Sequence, residues 1–256
     1  MTELYSAMEM MAIACARRIR DDDIVFCGTG LPLVAAMAAK RTSAPGCIVF
    51  FETGSIDPTL NELPLAVSDP RVMYGASHNS GLADAFAFMQ NPFTGPRIVG
   101  LLSGGQIDPY GNLNSTAIGD YEKPTTRLPG SGGASDVASL VGRTMIFMKH
   151  ERRRFVERLD YLTSPGWMSG GSSREEAGLI RGGPDTVITT LGLMKFEEQT
   201  KRMYLHTYYE RSSPDEVQGS TGFKMDVSRA TAEPPPTRSE LRTLRLEVDP
   251  LHLILR

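Results

Sequence analysis

Glu52 follows directly on the continuous apolar run Ile48–Phe51 and leads into Thr53-Gly54-Ser55. Such a run reads as a strand buried on both faces. Glu52 is therefore expected at that strand's carboxyl end, the edge at which open α/β sheets bind ligands. Gly54 would let a ligand come close to the backbone. A carboxylate in this position can serve as a nucleophile, as a general base, or simply as a partner for a helix end, and the residues alone leave all three open.

Two glycine segments could serve the same chemistry. Gly130-Ser131-Gly132-Gly133-Ala134-Ser135-Asp136 runs into the helix-like stretch Ser135–Leu140. Several backbone N–H groups can converge there, and a helix start adds positive dipole, so the loop could hold a phosphate or a developing oxyanion. The alternative is a flexible turn. Gly28-Thr29-Gly30 lies between the apolar run Ile24–Cys27 and the Ala-rich stretch Leu31–Lys40. It reads as a tight strand-to-helix turn, because Leu33 stands where a dinucleotide fingerprint needs its third glycine.

Other segments read as structural. Asp108-Pro109-Tyr110-Gly111, inside Gln106–Asn114, has the composition of a β-turn. The charge run Lys149–Arg154 reads as a solvated face, with a phosphate-binding role as the sharper alternative. His78, His150, His206 and His252 have no metal-ligand spacing, and Cys15, Cys27 and Cys47 are scattered, so no metal is assigned. The odd, scattered thiols point to a reducing compartment. Met-Thr-Glu opens the chain without the features of a signal peptide, and no apolar run is long enough to span a membrane, so a soluble cytoplasmic protein is expected.

The elements that must position these residues follow from patterning. Leu4, Met8, Met11, Cys15 and Ile19 mark one face of an amphipathic helix. Strand-like runs at Ile24–Cys27, Cys47–Phe51, Ile98–Leu102, Thr144–Met148, Thr186–Thr190, Leu193–Phe196 and Met203–His206 alternate with helical stretches, Leu82–Gln90 among them. This alternation predicts an α/β fold, an open, mostly parallel sheet with flanking helices. The proline run Pro234–Pro236 divides the chain into an α/β domain, 1–233, and a hinge with a C-terminal tail, 234–256, that holds a short helix around Ser239–Arg245. With 256 residues, 41% of them hydrophobic and 22% charged, the chain can bury a large core. Lys+Arg 27 against Asp+Glu 30 gives a net charge of −3, which argues against a nucleic-acid partner.

Taken together, Gly28-Thr29-Gly30-Leu31-Pro32, Glu52-x-Gly54, Gln106–Asn112, Asn114-Ser115-Thr116, Gly130–Ala134, His150-Glu151 and Thr163–Trp167 resemble the β subunits of glutaconate CoA-transferases, within the class I CoA-transferase family. The resemblance implies that Glu52 carries first the acyl group and then CoA. It implies that Gly130, Ser131, Gly132, Gly133 and Ala134 form an oxyanion and CoA-facing loop. Gly28, Gly30, Gly54, Gln106 and Asn112 become candidate contacts for substrate or CoA. A coenzyme A thioester is then a substrate and no cofactor is bound permanently. The partner is a related α subunit, and the substrates are an acyl-CoA and a carboxylic acid, short and of dicarboxylic type. The segment Tyr74–Gln90, with His78, departs from the glutaconate enzyme's pattern. Thr53 stands where its near relatives carry serine or asparagine.

A glutamate is ionised at neutral pH and, unlike serine, needs no base to become a nucleophile. Its attack on a thioester needs help at the oxyanion, and one backbone donor is worth about 3–4 kcal/mol there. Members of the same fold that act as decarboxylases or C–C hydrolases on acyl-CoAs form the alternative reading, and a CoA-binding scaffold is a third. Retention of Glu52 speaks against both.

Overall fold

The computed structural model describes residues 4–179 and 181–255, which divide into two compact units, 1–101 with 235–256, and 102–234.

In the first unit Ser6 opens helix α1 (Ala7–Ala16). Its hydroxyl accepts from the Glu9 N–H, and the Glu9 carboxylate accepts from the Ser6 N–H. The expected single apolar face of this helix is replaced by burial nearly all round, from Glu9 to Ala16, while Leu4 precedes the helix and is 79% exposed. Helix α2 (Leu31–Arg41) packs along α1, and the returning C-terminal segment packs on α2. Strands β1 (Ile24–Cys27) and β2 (Ile48–Phe50) flank α2 in the chain. They pair in parallel with Phe26 opposite Phe50. Beyond β2, the short strands β3 (Ser55–Ile56) and β4 (His78–Asn79) add antiparallel, and helix α3 (Leu82–Gln90) follows. Strand β5 (Ile98–Ser103) pairs parallel on the other side of β1, giving the order β5-β1-β2-β3-β4. Every residue of β1 is buried, as its uninterrupted apolar run predicts. The three cysteines are free and buried, and burial pushes the Cys47 thiol up to about 11.

The second unit begins with two small hairpins, β6 (Gln106–Ile107) with β7 (Leu113–Asn114) and β8 (Ala117–Ile118) with β9 (Thr126–Arg127). After helix α4 (Ala134–Leu140), strand β10 (Arg143–Met148), the short helix α5 (Ser173–Glu176) and strands β11 (Pro184–Thr189), β12 (Gly192–Phe196) and β13 (Met203–Tyr208) follow. Helix α6 (Pro214–Gly219) and strand β14 (Thr231–Ala232) complete it, in the order β14-β13-β12-β11-β10. Here β10 and β11 are parallel, while β11, β12 and β13 run antiparallel. The expected α/β class and mostly parallel sheet are therefore present, with antiparallel strands that make the pattern mixed.

The segment after the proline run returns to the first unit. Helix α7 (Arg238–Thr243) buries Leu241, and the π-helical turn after it buries Leu244 and Val248. Arg17 bonds Glu240 at 2.7 Å and Arg245 bonds Glu9 at 2.6 Å, tying the segment to the C-cap and the first turn of α1. Where the sequence suggested a hinge and tail, buried leucines and half-buried ion pairs make this segment part of a core. Among the described residues no helix is long and apolar enough to cross a membrane.

The charge run Lys149–Arg154 is a solvated face with one exception. Glu151 gathers Lys149 at 2.6 Å, Arg153 at 2.8 Å and Arg154 at 3.2 Å, which holds its carboxyl down to about 2. His150, next to it, is buried. Its ring stacks on Phe155, with Nδ1 3.1 Å from the Thr189 hydroxyl and Nε2 3.0 Å from that of Thr221. Burial pushes its pKa down to about 4. Both hydroxyls donate to backbone carbonyls, Thr189 to Gly192 at 2.8 Å and Thr221 to Val217 at 2.7 Å, so they offer the ring lone pairs, one of which accepts the single N–H of a neutral imidazole. The unfolded chain protonates His150 first, near pH 6.5, so this histidine's contribution to stability is full above that pH and is lost as pH falls toward 4. The fall should amount to roughly 3 kcal/mol. Urea unfolding across this range should show that extra loss in the wild type and not in His150→Gln; equal slopes would remove the claim.

Candidate active site

Two backbone bonds shape the end of β2. The Gly54 N–H donates to the Phe51 carbonyl at 3.0 Å, and the Phe51 N–H donates to the Ser55 carbonyl at 3.0 Å. Glu52 and Thr53 are thus the central residues of a tight turn joining β2 to β3, closed by Gly54 at φ +92°. This is a hairpin turn ending in a glycine bulge. From the side, the Ser80 N–H donates to the Gly54 carbonyl at 2.9 Å and its hydroxyl does so at 3.3 Å. The Ser55 hydroxyl donates to the Val72 carbonyl. A Cβ on Gly54 would collide with the Ser80 carbonyl, so both the dihedral and the space demand glycine.

Glu52 itself is half-buried. Among the described residues nothing hydrogen-bonds or ion-pairs with its carboxylate. Cations near it in sequence are engaged: Lys40 bonds Asp57 and the Cys47 carbonyl, each at 2.7 Å, and Arg71 bonds Asp69 at 2.6 Å and Glu62 at 3.2 Å. The Arg71 guanidinium also draws the Asp69 carboxyl well below the usual range. The Thr53 hydroxyl oxygen is buried without a partner.

The β1–β2 register ends at Phe26–Phe50, and Gly28 follows β1 directly as the turn with Glu52 follows β2. Nothing lies within 4 Å of a Cβ built on Gly28 or on Gly30, and Gly30 (φ +84°) starts α2 without a side-chain cap. Bare backbone thus follows β1 at the carboxyl end of the strand. A pocket of about 380 Å³ is lined by residues of β2, β3, β4 and α3, with Phe50 and Gly54, which flank the turn, in its wall.

The remaining candidates belong to the second unit. In the Gly130–Ala134 loop the Gly130 N–H is taken by the Ser115 carbonyl (2.8 Å) and the Ala134 N–H by that of Ser131 (3.0 Å). The amides of Ser131, Gly132 and Gly133 donate to nothing among the described residues. Gln106 and Asn112 are buried with their amides in use. Gln106 donates to Asp160 at 2.9 Å and accepts from Asn114 at 2.8 Å. Asn112 donates to Asp108 and the Met168 carbonyl, both at 2.7 Å, and accepts from the Gly166 N–H at 2.7 Å. Contact with a ligand would cost either side chain one of these bonds.

Sequence reasoning missed two positioning residues. Ser80 has no local signal, because its work is done 26 residues away from it. Arg174, in a Ser/Gly-rich stretch, reads as surface yet is 2% exposed. Its guanidinium donates to the carbonyls of Ala138 (2.7 Å), Gly166 (2.8 Å) and Arg181 (2.8 Å), tying α4, just after the glycine loop, to the Thr163–Trp167 segment. With carbonyls rather than carboxylates around it, burial lowers its pKa to about 10.

Against known proteins, the Coenzyme A transferase family model matches residues 8–220. The B subunit of glutaconate CoA-transferase from Acidaminococcus fermentans is 43% identical over 96% of this chain and 93% of its own length. The B subunit of 3-oxoadipate CoA-transferase from Pseudomonas knackmussii is 35% identical over 94% and 92%. The crystal structure of glutaconate coenzyme A-transferase from A. fermentans superposes with a TM-score of 0.95 at 42% identity, covering 98% of each chain. The decarboxylase AibA/AibB, at 24% identity and a TM-score of 0.81, shares the fold.

Gly54→Ala should lower unfolding stability by about 1–3 kcal/mol, since it combines a left-handed dihedral with a collision. Gly28→Ala enters open space at a φ that any residue adopts and should stay within about 0.5 kcal/mol. Chemical denaturation of the two variants side by side checks this, and equal effects would contradict the turn geometry.

Proposed function

The chain belongs to the coenzyme A transferase family, and we propose that it is the glutamate-bearing subunit of an acyl-CoA:carboxylate CoA-transferase with Glu52 as the covalent nucleophile. The observation that carries this reading is a half-buried carboxylate on a fixed turn at the carboxyl end of a parallel strand, with no partner to neutralise it among the described residues. A structural glutamate there would be paired; a nucleophile has to keep its lone pairs free.

The cycle is a double displacement. A Glu52 oxygen attacks the thioester carbonyl, an acyl–oxygen bond forms, and the acyl–sulfur bond breaks to release CoA thiolate. The thiolate attacks the glutamyl carbonyl of the resulting anhydride, and the first acid leaves as its carboxylate. Glu52 now carries CoA as a thioester. An acceptor carboxylate reverses both steps and departs as the new acyl-CoA. Each tetrahedral intermediate bears an oxyanion, and we assign its stabilisation to the free amides of the Gly132-Gly133 loop. The open backbone at Gly28 and Gly30 gives CoA a route along the edge. Coenzyme A enters as a substrate, and the cycle as written uses no permanently bound cofactor.

The relatives above are named for glutaconate and 3-oxoadipate, both short dicarboxylic acids, and acids of that length are the substrate class we assign. They are also named as B subunits, so the working enzyme is a complex with a related α subunit. Three free, buried thiols support a reducing, cytoplasmic setting. The decarboxylase reading rests on the more distant likeness, and it has no use for a free glutamate at this turn.

Incubating the two-subunit complex with acyl-CoA alone should leave CoA on the peptide containing Glu52, detectable by mass spectrometry. Glu52→Gln should lose that adduct and lower kcat by roughly a thousandfold or more. Transfer at the normal rate by the variant would sink the assignment. The purified chain without its α subunit should be inactive, with activity restored on mixing; full activity from this chain alone would contradict the two-subunit reading.

A further inference from the structure

Beside the Glu52 turn lies the pocket lined by Phe50, Gly54, Ile56, His78, Ser80, Asp84, Ala85 and Phe88. Phe50 stands two residues before Glu52 and Gly54 two after it, so the wall of the pocket and the hinge of the nucleophile are one structure. At about 380 Å³ it falls at the small end of the range for small-molecule sites. Its inner surface is apolar. Phe50 is fully buried, Ala85 is 3% exposed, and Phe88 meets Phe50 edge-to-face with ring centroids 5.4 Å apart.

The rim is polar, formed by His78, Ser80 and Asp84. No lysine or arginine lines the pocket, whereas the Asp84 carboxylate does, so a second carboxylate brought inside would meet like charge. The occupant that fits is an uncharged run of methylenes. We propose that this pocket receives the acyl chain of the thioester substrate as a short, uncharged stem, and that Ala85 and Phe88 set the length it accepts. A distal carboxylate, where the substrate has one, is then met outside the pocket. The inference rests on the reading above for the delivery of the acyl group beside this turn.

Ala85 and Phe88 lie three residues apart on α3, which puts both on the helix face toward β2. Enlarging one and trimming the other should therefore act in opposite directions. The test uses the two-subunit complex with saturated acetyl-, butyryl- and hexanoyl-CoA as probes. In the wild type kcat/KM should rise about fourfold per methylene from acetyl to butyryl. Ala85→Leu should lower the hexanoyl-to-acetyl ratio of kcat/KM by about tenfold, and Phe88→Ala should raise it by about tenfold. Should Ala85→Leu fail to fold, Phe88→Ala alone decides the matter through its rise. CoA labelling of Glu52 in the wild-type complex is scored separately. Labelled Glu52 with unshifted ratios in the folded variants overturns the pocket. Shifted ratios with unlabelled Glu52 uphold the pocket and overturn the nucleophile.

Discussion

In the proposed cycle the carboxylate of Glu52 has to be held still by something that does not touch it. A salt bridge or a side-chain hydrogen bond would fix the group, but would occupy the lone pairs that chemistry needs and weaken it as a nucleophile. The chain solves this with main-chain bonds and one serine. The Phe51–Gly54 and Phe51–Ser55 bonds shape the turn, and the two Ser80 donors anchor it through the Gly54 carbonyl. Lys40 and Arg71, the cations of the flanking segments, are engaged by Asp57, Asp69 and Glu62. Much of the first unit's polar detail thus keeps one carboxylate both fixed and free.

The second unit treats a cation in a comparable way. Arg174 has five N–H donors and bonds no carboxylate among the described residues, so it distributes them over carbonyls of separate segments. A neutral residue of equal length could not donate to so many at once. The helix after the glycine loop and the Thr163–Trp167 segment are therefore set by one side chain. Asn112 adds a second tie to the latter through Gly166 and Met168.

What the sequence made legible, and what it did not, divides by distance along the chain. Glu52 stood out because a buried parallel strand writes an unbroken apolar run, and its end is visible as the first charged residue. The long strands and α3 were legible for the same local reason. Strands β3 and β4 have two residues each, too few for any period to register. Without them neither the hairpin nor the pocket could be foreseen. Ser80, Arg174 and His150 escaped because their bonds reach residues 26 to 71 positions away. The motif resemblance brought in the glycine loop, but the consumption of the Gln106 and Asn112 amides needed coordinates. For α1 the periodicity was real yet incomplete, since a helix buried nearly all round from Glu9 to Ala16 has little solvent face to mark.

The returning C-terminal segment also orders events in time. The first unit is discontinuous: α1 and α2 leave the ribosome early, but the segment that packs on α2, with Leu241 and Leu244, and the partners of Glu9 and Arg17 are made after the whole of 102–234. The second unit has all its strands in hand before the first can close. During that interval an Ala- and Met-rich helix lacks part of its cover, an exposure of the kind that chaperones recognise. The half of the molecule that carries Glu52 is in this sense the last to be finished, so a nascent chain cannot present a completed turn region on a fully closed core until the inner unit has been synthesised.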